Sequence, residues 1–249
     1  MRILGIDTAT AVSSVAFFED GQLTAEATFP PRNRTGEVLS VKSSHSETIL
    51  PLISSVLDNA HRKISDIDVI AVSIGPGSFT GLRIGLALVK GIAYECSVPV
   101  VGVSSLEAQA ARFTKISGTI CSLLDARKHE VYAALFEQRE GSLLRCSADQ
   151  ATEVTDLMAL FSSSLRTSVI KFVGNGAELY QEQILHLFGS RAQIIGEACG
   201  CSAAGGVARV ASTRSPAISR TDLGPLVPLY LGTSQALGIS RKILSNSLK

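Results

Sequence analysis

The chain carries almost no net charge, with 23 lysines and arginines against 22 aspartates and glutamates for a formal value of +1. A surface so balanced exerts no general pull on a phosphate backbone, which argues against nucleic-acid binding through a broad basic face and leaves only local or indirect RNA contact. Long apolar runs are missing too. The most apolar helix candidate, Ile84 to Tyr94, is interrupted by Lys90 and falls well short of the roughly 20 residues that a bilayer span demands. The opening Met1-Arg2-Ile3-Leu4-Gly5-Ile6-Asp7 runs straight into strand-like sequence, without the apolar region and small-residue cleavage site of a secretory signal. A cytoplasmic protein with no membrane partner is expected.

Histidine is scarce. His45, His61, His129 and His186 lie far apart, and no H-E-x-x-H or H-x-x-x-H pair places two metal ligands on one helix face. Each reads as a surface or capping residue, and no metal site is expected. The five cysteines, Cys96, Cys121, Cys146, Cys199 and Cys201, are odd in number and scattered, as befits reduced structural thiols. The C-x-C at 199–201 lacks a second ligand pair and is a weak zinc signal. No nucleophile with a base beside it is visible, so nothing in the sequence specifies a self-sufficient hydrolase.

An apolar fraction of 45% with 18% charged residues and 21 glycines describes an ordinary α/β protein. At 249 residues the chain is long enough for two compact lobes. Short strands at Ile3 to Ile6, Ser13 to Phe18 and Leu23 to Thr28 form a meander turned by Asp20-Gly21. Pro30 to Gly36 reads as an exposed loop. Ser44-His45-Ser46-Glu47 resembles a capping box, and the apolar spacing of Ile49, Ile53 and Leu57 predicts a helix to about Ala60 that bends at Pro51. Asp68 to Ser73 is a buried-type strand that opens into Gly75-Pro76-Gly77-Ser78-Phe79-Thr80-Gly81 and a second helix. The strand Val98 to Val103 ends the first lobe near Ser104, where a new helix begins.

The second lobe restarts with strands at Thr119 to Leu124 and Val131 to Phe136 around the acidic turn Asp125-Ala126-Arg127-Lys128. This partly echoes the opening strand, acidic turn and second strand. A strand at Val169 to Val173, closed by Gly174-Asn175-Gly176, and a helix from Glu178 to Phe188 follow. The expected division is residues 1–104 as an N-terminal lobe and 105–249 as a C-terminal lobe whose last segment docks back on the first. The C-terminal third is the least regular part.

Three features could carry chemistry. The glycine loop lacks the lysine of a Walker motif, since Gly81 is followed by Leu82 and Arg83, and it has one residue too many for a dinucleotide fingerprint. A tight strand-to-helix turn is the simpler reading and a phosphate loop the alternative. The helix beyond is apolar nearly all round, with Gly81 and Gly85 four apart, so both its sides need covering, by the same lobe or by another chain. Asp7 and Asp125 each follow an apolar strand, the first leading into Thr8 and Thr10. They fit either acidic turns facing across a cleft, as in actin-like and sugar-kinase architectures, or plain turn caps.

The runs Ile6-Asp7-Thr8-Ala9-Thr10, His45-Ser46-Glu47-Thr48-Ile49-Leu50-Pro51, Gly75 to Gly85 and Asp125-Ala126-Arg127 closely resemble the TsaB (YeaZ) family, once grouped as M22-like glycoproteases. The resemblance covers the first lobe almost end to end and extends to Val173-Gly174-Asn175-Gly176. It implies a two-lobed actin-like α/β fold (ASKHA architecture) and a non-catalytic platform role, without catalytic residues of its own. The family's work is N6-threonylcarbamoyladenosine formation at position 37 of tRNAs, with TsaD, TsaE and the product of TsaC. It further implies a homodimer, tRNA contact only through the complex, and no intrinsic cofactor. ATP or ADP with magnesium would sit at the interface with partner subunits, against a vestigial site of Asp7, Thr8, Thr10 and Asp125. The implied partner face comprises His45, Ile49, Ile53, Leu57, Gly77, Thr80, Gly81, Arg83, Ile84, Gly85 and Leu88. One departure is that Pro228-Leu229-Tyr230-Leu231 is followed by Gly232 where many relatives carry arginine. The alternatives are a stand-alone ATPase or kinase of the same fold and, last, a peptidase.

Overall fold

The computed structural model describes residues 1–30, 44–160, 169–196, 202–214 and 222–231. Most of the Pro30 to Gly36 loop, Cys199, Cys201 and Gly232 lie outside the described residues. Two sheets carry the architecture. The first contains β1 (Arg2–Asp7), β2 (Ser13–Glu19), β3 (Gln22–Phe29), β4 (Val69–Gly75) and β5 (Val100–Ser104), in the spatial order β3-β2-β1-β4-β5. β1 is antiparallel to β2 and parallel to β4. It is buried from Ile3 to Asp7, which explains its near-continuous apolar run, because a central strand covered on both faces has no solvent side to fill with polar residues. Asp20 and Gly21 both take positive φ in the β2–β3 turn, the backbone that a two-residue hairpin requires.

The second sheet contains β6 (Gly118–Arg127), β7 (Glu130–Arg139), β8 (Ser142–Arg145), β10 (Ile170–Val173) and β11 (Ala192–Ile195), with β9 (Gln150–Glu153) pairing off β7. Its order, β11-β10-β6-β7-β8, repeats the first: a central strand antiparallel to the hairpin that follows it and parallel to a later crossover strand. This duplicated unit is the two-lobed actin-like fold expected from the sequence.

Helices fill the layers between and outside the sheets. α1 (His45–Asn59) and α2 (Phe79–Cys96) cover the outer face of the first sheet, where Ile49, Ile53, Val56, Leu86 and Val89 meet Leu4, Ile6, Ile70 and Val72. α1 runs unbroken across Pro51, with the Glu47 carboxylate accepting from the Ser44 N–H at 3.2 Å. α3 (Ser105–Ala111) lies between the sheets and shows how one short helix serves both. Ala108 and Ala111 pack with Ile3, Val101 and Val103, while Leu106 and Ala110 pack with Ile120, Leu124 and Phe136. The predicted helix over Glu178 to Phe188 is two pieces, α4 (Asn175–Leu179) and α5 (Gln181–Phe188), and α5 covers the outer face of the second sheet.

α6 (Ala203–Ser212) lies in the region that sequence patterning left irregular. Although the chain reaches it only after the second sheet, Val207, Ala208 and Ala211 bury against the first. Its small residues allow a close approach. A Cβ on Gly206 would stand 2.0 Å from the Ala108 carbonyl oxygen, so α6 and α3 touch backbone to backbone. The segment 222–231 also lies on the first lobe, with Leu226 buried in its core and the Leu229 N–H donating to the Ile74 oxygen at 2.6 Å.

Candidate functional site

The ends of β1 and β6 face a cleft of about 470 Å³ between the lobes. Thr10, His45, Gly77, Ser78, Phe79 and Thr80 line one side, and Asp125, Arg127, Tyr132 and Asn175 the other. Ser78 is the N-cap of α2, its Oγ accepting from the Gly81 N–H at 3.2 Å. The positive end of that 18-residue helix therefore points at the cleft, opposite the Arg127 side. Three successive residues, Arg127, Lys128 and His129, hold left-handed backbone in the β6–β7 turn, which sharpens the rim that carries Asp125.

The two aspartates do not play equal parts. Asp125 is half-buried on the cleft wall, where it accepts from the Arg127 N–H at 2.8 Å and from the Tyr180 hydroxyl at 3.3 Å, and its own N–H donates to Asn175 at 3.2 Å. Burial and the neighbouring negative charge push the Tyr180 and Tyr132 hydroxyls above the usual tyrosine range. Asp7, by contrast, is 2% exposed and absent from the cleft lining. Thr8 is fully buried, donating to the Gly81 carbonyl at 2.8 Å. Of the four residues singled out for nucleotide, Thr10 and Asp125 reach the cleft, while Asp7 and Thr8 sit behind it. A magnesium-phosphate site of the two-acid kind needs both carboxylates in the opening, so these residues do not fit one. Helix end and Arg127 fit an anion without a metal.

The turn after β1 is locked to α2. Ser78 donates its N–H to the Ala9 oxygen at 2.7 Å, and a Cβ on Gly81 would stand 2.1 Å from the Thr8 oxygen. Gly81 and Gly85 are thus spent on intramolecular packing, the first of the two coverings that the sequence left open. Ile49, Ile53 and Leu57 point inward to the first core. Of the residues marked for the partner face, His45, Gly77 and Thr80 edge the cleft, Arg83 and the half-buried Ile84 lie along the outer side of α2, and Leu88 packs against the first core. Leu50 at 52% and Tyr94 at 79% exposure extend that outer apolar surface.

Several contacts were not read from the sequence, most of them because they join residues far apart in it. His45 Nδ1 lies 2.5 Å from Ser13 Oγ, and Ser13 Oγ lies 3.3 Å from Thr48 Oγ1. Burial pulls the His45 pKa below the usual histidine range, partly offset by its bond to the Thr10 backbone. Arg112, 6% exposed, donates to Gln109 at 3.0 Å in an adjoining inter-lobe pocket of about 270 Å³. Arg83 is clasped from the C-terminal segment: its guanidinium stands 3.6 Å from the Phe79 ring centre, and its Nε donates to the Tyr230 hydroxyl at 2.8 Å.

The family model for TsaD, tRNA N6-adenosine threonylcarbamoyltransferase, matches residues 39–233. The tRNA threonylcarbamoyladenosine biosynthesis protein TsaB of Bacillus subtilis is 30% identical over 191 residues, 77% of this chain and 78% of that protein. The protein of the same name from Escherichia coli is 36% identical over 145 residues, 57% of this chain and 58% of its own length. Among solved structures, YeaZ from Pseudomonas aeruginosa superposes with a TM-score of 0.72 at 24% identity, covering 92% of this chain and 99% of that one, which shows a shared fold. The duplicated sheets, the length of the Bacillus subtilis match and the reach of the family model agree, and the chain belongs to the TsaB (YeaZ) family, within the wider group that the TsaD model describes.

Proposed function

We propose that this chain is a platform subunit without catalytic groups of its own, acting with a TsaD-type catalytic partner, TsaE and the product of TsaC in forming N6-threonylcarbamoyladenosine at position 37 of tRNAs. The names of its curated relatives place those proteins in threonylcarbamoyladenosine biosynthesis. The observation that carries the platform reading is the uneven cleft: Asp125 faces it with Oδ1 held by the Arg127 N–H and the Tyr180 hydroxyl, and Asp7 is buried behind it. Such a cleft keeps the shape of a phosphate-handling fold while offering one acid where in-line phosphoryl transfer calls for a metal cluster. The outer surface of α2 with Leu50 and Tyr94 is the face offered to a TsaD-type partner or to a second copy.

The peptidase alternative would have to use Ser13 and His45, the one hydrogen-bonded serine–histidine pair among the described residues. Ser13 is 1% exposed, so no peptide bond can reach its hydroxyl. A stand-alone ATPase or kinase would need both acids in the cleft. The deciding experiment is reconstitution: a TsaD-type protein, TsaE and TsaC with substrate tRNA, threonine, bicarbonate and ATP should yield modified tRNA only when this chain is added. Steady ATP turnover by the chain alone, or full modification without it, would overturn the proposal.

A further inference from the structure

On the far side of α3 from the cleft lies a second pocket, of about 280 Å³, enclosed by α3, the C-terminal end of α6 and the β7–β8 hairpin. Arg209, Gln138, Thr114, Ser142 and Thr213 are among its polar lining, and Ala111, Leu143 and Val210 supply an apolar wall. Arg209 stands in the last turn of α6 with its guanidinium 5.3 Å from the Phe18 ring centre. Ring and helix end both favour a cation there, which accounts for the charge. They do not account for Nε, which is buried and has no hydrogen-bond partner. Gln138 is 4% exposed, and its side-chain amide likewise makes no hydrogen bond among the described residues. A buried polar atom without a partner is rare in a folded interior, and Arg209 Nε belongs to a residue that lines a cavity beside the Gln138 side chain.

Glu107, which also lines the pocket, is already held by Arg145 at 3.1 Å and by Arg214, and Arg145 pairs with Asp149 as well. Arg209 pairs with no carboxylate among the described residues, although Glu107 shares its pocket. We propose that this pocket binds a small organic monocarboxylate, with the carboxylate on Arg209 Nε and the Gln138 amide and a short apolar tail on Ala111, Leu143 and Val210. A carboxylate supplies acceptors for both groups and gives Arg209 the counter-charge it lacks. The cavity is below the usual range of drug-sized sites and takes a compact molecule, not a nucleotide.

The test is ligand-observed NMR on the full chain with acetate, butyrate, isovalerate and hexanoate, against isoamylamine and isovaleramide as charge-reversed and neutral mates of one carbon frame. At least one carboxylate should bind, with the amine silent. Arg209→Gln should weaken that binding about tenfold or more, as for loss of a charged hydrogen bond, and Gln138→Leu by a smaller factor of about three. Thermal melts establish that each variant is folded, and should Arg209→Gln not fold, Gln138→Leu and the amine control decide. No carboxylate binding up to about 10 mM, equal binding of the amine, or binding indifferent to the folded variants would overturn the assignment.

Discussion

Gly85 and Thr8 meet so closely that a Cβ on the glycine would fall 2.3 Å from the threonine Oγ1. Thr8 cannot swing aside, because its hydroxyl is donated to the Gly81 carbonyl and the residue is fully buried. Gly85→Ala should therefore lower stability by about 1–3 kcal/mol, the range for overpacking a tight interior, read as a shift in the urea midpoint at unchanged slope. Gly85→Leu should unfold the chain outright, so lost assembly in that variant reports folding and not a partner surface. A Gly85→Ala protein as stable as its parent would show that the turn is looser than the packing implies.

His45 gives the fold a pH dependence on the acid side of neutrality. Burial depresses its folded pKa, so the unfolded chain binds the proton more readily and stability falls as pH drops. The contribution is fully present above the ordinary histidine pKa near 6.5 and is lost as pH falls through the lower folded value. Denaturation midpoints between pH 7.5 and 5 should decline in the parent and decline less steeply in His45→Gln. Identical slopes would mean that His45 titrates normally in the folded state.

Asp7 and Asp125 should separate structure from ligand contact. Removing the buried acid in Asp7→Ala should cost about 2–4 kcal/mol, whereas Asp125→Ala on the cleft wall should cost about 1 kcal/mol. Nucleotide binding by the isolated chain should be weak and independent of magnesium, and it should respond to Arg127→Ala more than to Asp125→Ala. Tight, magnesium-dependent ATP binding in calorimetry would contradict this account of the cleft.

The Phe79–Arg83–Tyr230 clasp predicts a graded series. Arg83→Ala loses the stacked guanidinium and its hydrogen bond, about 1 kcal/mol at this exposed site, and Tyr230→Phe should lose roughly half of that. Hydrogen exchange at the Leu229 amide, which bonds the Ile74 oxygen, should quicken in both. In the reconstituted system any loss with Arg83→Ala should be recovered by raising its concentration, since weakened association yields to mass action. Saturating Arg83→Ala that binds the partner yet gives no product would place Arg83 in the chemistry.

What local pattern controls was legible in the chain. Alternating and continuous apolar runs placed β1, β2, β4, β6 and β7, the Asp20-Gly21 pair marked the first hairpin, and Ser44 and Ser104 stand at the N-caps of helices whose starts the sequence showed, whereas α2 begins at Phe79, inside the glycine run that was expected to precede it. The repeated strand, acidic turn and strand at Asp7 and Asp125 foreshadowed the duplicated sheet. α6 escaped notice because its start, Ala203-Ala204-Gly205-Gly206, is built from small residues of little periodic signal, the last of which allows the close approach to Ala108. Its place on the first sheet, the burial of Asp7 beside an open Asp125, the Ser13–His45 contact and the meeting of Arg209 with Gln138 all join residues remote in sequence. Spacing along a chain reports which side of one element a residue occupies; which other element covers that side is decided only when the sheets close over α3, and there the choice between a cleft acid and a buried one was made.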